Sequence, residues 1–323
     1  MTIKPQYEVP LPRQPKPEAC DFDLDRALRS IVALQAVIPE DAFTASILGT
    51  ERAGSGVVIR ASGLVLTIGY LITEAESIWL TDVDGRVTPA HVLAYDQETG
   101  FGLVQALGKL GLPALELGRS DAVRIGDPVV VAGGGRRQSL SAEIIGKEEF
   151  AGYWEYLLEE AIFTAPAHPH WGGTGLIGRD GKLLGIGSLH LRQVVEGGQR
   201  DINMMVPVDL LSPVLEEMLA HGRVNKPPRP WLGIYAAEAG GKVIVADLAD
   251  QGPAAAAGMQ PGDVIASVRD EGVEGLADFY RKLWASGPAG AEILLEVVRD
   301  GRAVWLRLAS ADRRSFLKAP KLQ

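Results

Sequence analysis

The chain has one cysteine, Cys20, in 323 residues. No disulfide can form within it, so packing alone must hold its domains together. Aromatic residues are scarce, at 6%. Basic residues are outnumbered, with 32 Lys and Arg against 41 Asp and Glu and a formal net charge of -9. That balance argues against nucleic acid or an anionic membrane as the main partner, because phosphate binding relies on basic clusters. No apolar run approaches the ~18 residues needed to cross a bilayer as a helix, so no membrane span is expected. The first ten residues, Met1-Thr-Ile-Lys-Pro-Gln-Tyr-Glu-Val-Pro10, have no apolar core behind a basic start. They do not read as a signal peptide, and the literal expectation is a cytoplasmic protein.

What is present is apolar mass and glycine. Apolar residues make up 46% of the chain, and there are 38 glycines. The length allows about two domains. Residues 1–20 are proline-rich and poor in apolar side chains, and are expected to form a mobile arm. The stretch from Asp21 to Val37 carries Leu24, Ala27, Leu28, Ile31 and Leu34 at helical spacing and predicts a helix. Short apolar runs between Gly and Asp turns then predict strands to about Val208, among them Ala45–Leu48, Val57–Arg60, Leu64–Thr67, Ser77–Thr81, Val129–Ala132 and Leu183–Ser188. Within them, Lys147 to Glu160 is acidic and aromatic. It reads either as an element covering a cleft or meeting a partner, or as an ordinary hairpin whose aromatics pack on the body of the domain. Asp209 to His221 predicts a helix ended by Gly222. Residues 225–230, Asn-Lys-Pro-Pro-Arg-Pro, read as a hinge before a second domain at 231–310 and a tail at 311–323.

Two groups of motifs carry a resemblance. The first is Gly54-Ser55-Gly56, then Gly63-Leu-Val-Leu-Thr-Ile-Gly-Tyr70, then Leu117-Gly-Arg-Ser-Asp121, then Trp171-Gly-Gly-Thr-Gly175 followed by the Asp180-Gly181 turn and the strand Leu183-Leu-Gly-Ile186. This series resembles the trypsin-like serine proteases of the HtrA (Deg) family. The second is Trp231-Leu-Gly-Ile234, Gly252-Pro-Ala-Ala-Ala-Ala-Gly-Met-Gln-Pro-Gly-Asp-Val-Ile265 and Val297-Val-Arg-Asp-Gly-Arg302. It resembles a PDZ domain of the bacterial protease type. Together they imply a mainly β fold: a trypsin-like double β-barrel at 21–224 and one PDZ domain at 231–310.

The resemblance also assigns positions, and here the chain departs from the family. Counting back from the Asp180 turn puts Gly172 at the nucleophilic serine. Tyr70 stands at the histidine and Gly100 at the aspartate. His170 and Trp171 stand in the turn that forms the oxyanion hole. A serine hydroxyl needs an imidazole to take its proton and a carboxylate to hold that imidazole. Glycine cannot attack, and a phenol with a pKa near ~10 is no base at neutral pH. A β-carbon at 170 is expected to disfavour the backbone that turns an N–H inward. Thr174 and Ser188 are nearby hydroxyls, but each lacks a base. Of the five histidines, His91, His168, His170, His190 and His221, none falls at the base position. His168, His170 and His190 are candidates for a metal site, although no Cys or carboxylate sits beside them at ligand spacing. No cofactor is expected.

The expected function is therefore that of a proteolytically inactive HtrA-like protein binding peptides or protein C-terminal tails. Its PDZ domain would hold the terminal carboxylate on N–H groups of Trp231-Leu232-Gly233-Ile234. The resemblance implies a homo-oligomer or an active HtrA-type relative as further partners. Two other readings stand beside it: an endopeptidase with a substituted site, and a metal-binding module.

Overall fold

Runs of Val, Ile and Leu bounded by Gly or Asp turns form strands because β-branched side chains pack well on a pleated, half-buried surface. The structure is a computed structural model and describes residues 8–195 and 198–319. Six strands close a first barrel: β1 (Ile31–Val37), β2 (Glu51–Arg60), β3 (Leu64–Ile68), β4 (Ser77–Thr81), β5 (Val87–Tyr95) and β6 (Phe101–Ala106). Six more close a second: β7 (Pro128–Ala132), β8 (Ser139–Gly152), β9 (Tyr156–Ala165), β10 (Gly175–Ile177), β11 (Leu183–Val195) and β12 (Gly198–Pro207). Closure leaves no unpaired sheet edge. Short helices α1 (Leu24–Leu28), α2 (Ala45–Leu48) and α3 (Leu215–His221) accompany the barrels, and Gly222 ends α3 with φ +68°.

The chain divides into two compact units. One comprises residues 1–148, 160–224 and 318–323, and the other 149–159 and 225–317. The second unit holds a sheet in the order β13-β14-β15-β17-β18, from β13 (Ile234–Ala239), β14 (Lys242–Leu248), β15 (Val264–Val268), β17 (Glu292–Arg299) and β18 (Arg302–Ala309). Short β16 (Glu271–Gly272) pairs with β15. Its helices are α4 (Pro253–Ala256), with Pro253 in the first turn, and α5 (Leu276–Ala285). Leu276, Phe279, Tyr280 and Leu283 form the buried stripe of α5, at the spacing of one helix face. The Pro-Gly-Asp turn is pinned by Asp263, which is 1% exposed in its side chain and accepts two 2.7 Å hydrogen bonds from Arg299.

Several expectations need correction. The helix foreseen over 21–37 stops at Leu28, and 31–37 is strand β1. Asp23 caps the short helix by accepting from the Arg26 N–H. Beyond Arg29 the chain pairs with both β2 and β4, and those long-range ladders override the local helical stripe. Ala45–Leu48, expected as a strand, is one helical turn. Thr44 ahead of it is held by Glu74, and Gly49 follows at φ +78°. The arm, from residue 8 onward, is not free. Val9 is 2% exposed in the core of the second barrel, and its N–H donates to Arg137 O. Residues 1–7 of the arm and 320–323 of the tail lie outside the described residues. Finally, the N-terminal domain is not contiguous, because residues 149–159 group with the second unit.

Candidate functional site

The end of β3 tightens into a single 3₁₀ turn, Gly69–Leu71, which sets the direction of Tyr70. The Tyr70 hydroxyl donates to Ser188 O at 3.0 Å, reaching from the first barrel to the second. A β-carbon built on Gly172 would lie 2.8 Å from that hydroxyl. The Gly69 N–H donates to Gly100 O at 2.7 Å, and Gly100 has φ +81°. The fold thus brings together the three positions that the resemblance assigned to the triad. Burial drives the Tyr70 phenol well above its ordinary value, and the opposing side-chain hydrogen bond with Trp171 does not cancel this. The phenol stays protonated and offers no base near neutrality.

The turn around Gly172 is tied by its backbone to β2 and β11. Gly172 O accepts from the Ser55 N–H at 2.8 Å, and the Gly173 N–H donates to Gly187 O at 2.8 Å. Thr174 Oγ1 donates to Trp171 O at 2.8 Å and is fully buried, while Ser188 is 3% exposed. The His170 N–H donates to His168 Nδ1 at 3.1 Å, so this donor is already engaged by the protein. His168 Nε2 meets Gln138 O at 2.9 Å, which assigns the proton to Nε2. The Asn203 carboxamide receives the His168 N–H at 2.6 Å.

The three candidate metal ligands do not gather. His168 uses both ring nitrogens on backbone groups, and the His190 ring packs on Trp171 with centroids 5.3 Å apart. Among the described residues no group of three or more His, Cys, Asp or Glu is placed to hold a metal ion.

Burial lowers the pKa of His168 below its ordinary 6.5, with the neighbouring His170 adding to the effect and the Gln138 carbonyl opposing it. The folded imidazole resists a proton that the unfolded chain accepts. The stability His168 contributes is therefore full above pH 6.5 and is lost as pH falls through 6.5 toward the folded pKa. Urea midpoints are expected to fall between pH 7 and pH 5, and a His168→Gln variant should show a flatter slope. Equal slopes in the two proteins would remove His168 as the cause.

Sequence reasoning missed a buried polar network under Tyr70. Arg52, 5% exposed, donates to Tyr70 O at 2.7 Å, Thr73 O at 3.1 Å and Thr44 Oγ1 at 2.7 Å. Glu74 accepts from the N–H groups of Phe43, Thr44 and Lys318 and from the Thr44 hydroxyl. Burial lowers Arg52 to about 10, against the attraction of Glu74, which leaves it charged. The ends of α2 and of the 69–71 turn are tied to one cation. Nothing in the local sequence Glu51-Arg-Ala-Gly marks Arg52 as buried.

In the second unit, the N–H groups of Leu232, Gly233 and Ile234 converge on one carboxylate, that of Glu155. Gly233 and Ile234 donate to Oε1 at 2.7 and 2.9 Å, and Leu232 donates at 3.2 and 3.1 Å to the two oxygens. Trp231 lies beside this loop without sharing in it. Its N–H and carbonyl pair with Ala311, and its ring packs on Phe316. Along β13 the Ala236 N–H donates to Tyr153 O at 2.9 Å. From α5, the Tyr280 hydroxyl donates to Gly152 O at 2.7 Å and accepts from the Glu155 N–H at 3.2 Å. Leu157 joins the core with Leu232 and Ile234. Burial pushes the Glu155 carboxyl up to about 7, although the three N–H groups and Arg313 hold it down. The hairpin's aromatics pack on one another and on Tyr235, with Trp154 stacked on Tyr156 at 5.4 Å and Tyr153 at 6.1 Å from Tyr235. Neither reading of Lys147–Glu160 from sequence anticipated this. Its only trace there is an acid beside an apolar residue, the chemistry that such a loop accepts.

Comparison with known proteins matches this arrangement. The trypsin-like peptidase domain family matches residues 54–186, and the PDZ domain family matches 230–309. The chain carries a trypsin-like peptidase domain followed by one PDZ domain, the arrangement of the HtrA-type proteases it is similar to. It is 29% identical over 267 residues to a probable periplasmic serine endoprotease, DegP-like, of Pseudomonas fluorescens, covering 78% of this chain and 54% of that one. It is 28% identical over 271 residues to the periplasmic serine endoprotease DegP of Salmonella typhimurium, covering 79% and 56%. The chain thus spans a little over half the length of these curated relatives. Among solved structures it is similar to the HtrA-type protease AlgW with decapeptide, at 26% identity and a TM-score of 0.52, covering 92% of this chain and 98% of that one. No described helix is long and apolar enough to cross a membrane.

Proposed function

We propose that this HtrA-type protein does not cleave peptide bonds and works by holding peptides, through carboxylate recognition in its PDZ groove. One observation carries the first half. At the position assigned to the nucleophile stands Gly172, and the Tyr70 hydroxyl lies 2.8 Å from where any side chain there would begin. The space a nucleophile needs is taken by a protonated phenol. The engaged His170 N–H and the burial of Thr174 support the same reading. For the second half, the three convergent N–H groups at 232–234 supply carboxylate recognition. The similar AlgW structure carries a decapeptide, which supports a peptide as ligand here. The periplasmic relatives favour export over the cytoplasmic reading of the amino terminus.

The test is a fluorophosphonate probe together with a casein digest, using an active HtrA-type protease as control. Neither labelling nor cleavage is expected from this protein. Stoichiometric labelling that maps to one Ser or Thr of the chain would establish the endopeptidase reading instead. Self-association and association with an active relative complete the proposed partners, and light scattering of the protein alone and of the mixture checks both.

A further inference from the structure

The groove at 232–234 already holds contacts of the kinds a ligand makes, and they come from residues 149–159 of the same chain. A tail bound to a PDZ domain presents a carboxylate to the loop, main-chain groups to the neighbouring strand and an apolar side chain to the pocket. Here Glu155 supplies the carboxylate, Tyr153 O pairs with the strand at Ala236, and Leu157 supplies the apolar side chain. Two charges outside the groove add to this. Arg281 of α5 pairs with Glu159 at 2.6 Å and also with Glu149, one residue on each strand of the hairpin.

Simple packing does not account for a carboxylate at this place. Burying one is unfavourable unless donors are aimed at it. Glu155 is 6% exposed and also adopts φ +58°, a left-handed conformation that costs free energy in a residue with a β-carbon. A hairpin that only filled space would be served by an apolar residue or glycine here.

We propose that the 149–159 tip is the resident ligand of the PDZ groove, with the Glu155 side chain standing where a bound tail places its terminal carboxylate. The inference rests on reading the groove as a tail receptor. An outside peptide must then displace the tip before it binds. Its apparent affinity is reduced by the fraction of molecules in which the groove is open. A tethered competitor acts at an effective concentration on the order of millimolar. Against a tip whose own affinity is on the order of 10 μM, this weakens an outside peptide by about 100-fold. The tail that opens the groove must carry both a free carboxylate and an apolar last side chain, since the tip offers both. The tip is also the turn joining β8 to β9.

The experiment uses the full chain as wild type and as Glu155→Ala, with two measurements. Hydrogen exchange reports on the amides of Leu232, Gly233 and Ile234. Calorimetry measures binding of free-acid heptapeptides ending in Leu, Val or Phe, and of their amides. In the wild type the three amides are expected to be protected and the peptides to bind weakly. In Glu155→Ala, protection should fall at least 10-fold and free-acid peptides should bind at least 10-fold more tightly, their amides not. If Glu155→Ala does not fold, the isosteric Glu155→Gln is expected to give smaller changes of the same sign, about 3-fold. Unprotected amides in the wild type, or protection unchanged in the variants, overturns the proposal. So does a peptide that binds wild type and variant equally. If protection falls as expected but no free-acid peptide binds the opened loop, the resident ligand stands and the tail-receptor reading fails.

Discussion

Gly172→Ser is expected to leave peptide hydrolysis at the solution background. The substitution supplies a hydroxyl but no base, and loss of the base alone costs an active serine protease on the order of 10⁶-fold in turnover. The geometry adds a second obstacle. The new β-carbon would meet the Tyr70 hydroxyl at 2.8 Å, so the phenol must move and give up its hydrogen bond to Ser188 O. Adding Tyr70→His clears that space and offers an imidazole. Adding Gly100→Asp then asks a residue with a β-carbon to adopt φ +81°, at a cost of about 1–2 kcal/mol. Even the triple variant is expected to remain at least about 100-fold below an active relative, because the His170 N–H is held by His168 Nδ1 and one lost oxyanion donor costs about that much. Casein or chromogenic peptide assays on the three proteins decide this. Robust turnover from Gly172→Ser alone would mean that the nucleophile position has been assigned to the wrong residue.

Arg52→Ala is expected to destabilise the first unit by about 3–5 kcal/mol. The guanidinium serves Tyr70 O, Thr73 O, Gly49 O and both oxygens of Thr44, and through the Thr44 hydroxyl it is linked to the buried Glu74 carboxylate. Truncation leaves those acceptors without a donor in a buried place and removes the charge that orders the Thr44 hydroxyl toward Glu74. The melting temperature should fall by roughly 10 °C. Arg52→Lys should recover only part of this, since a single ammonium cannot span acceptors that a planar fork reaches together. Differential scanning calorimetry of the three proteins is the measurement. A melting temperature for Arg52→Ala within about 2 °C of wild type would show the network to be dispensable.

The two units differ in how far their chemistry was readable in advance. For the trypsin-like unit, the resemblance assigned Tyr70, Gly100 and Gly172, the last by counting from the Asp180-Gly181 turn, and in the fold the Tyr70 hydroxyl lies against Gly172 while Gly100 O meets the Gly69 N–H. A fixed turn and the strand after it constrain spacing along the chain, which is why that count could be made. The Arg52–Thr44–Glu74 network was invisible, because its members are 8 and 22 residues from Arg52 and have no motif in common. In the PDZ unit, Leu232 to Ile234 were found as a carboxylate loop. What occupies it was not, because Glu155 lies 77 residues before Leu232.

The two kinds of domain came from the resemblance of the motifs. Local pattern determined the β-rich class of fold, the turns that begin and end α4, and the absence of a side chain at position 172. Each of these depends on near neighbours: alternation along a strand, a proline that starts a turn, a glycine that accepts positive φ. Tertiary structure alone decided that Ile31–Val37 is a strand, because two distant ladders outweigh its helical stripe. It alone brought the Tyr70 hydroxyl to Gly172, seated Val9 in the second barrel and put the Glu155 carboxylate on the loop at 232–234. Such contacts join residues far apart in the chain. Their free energy comes from packing and from hydrogen bonds shielded from water, which exist only once the chain has closed around them.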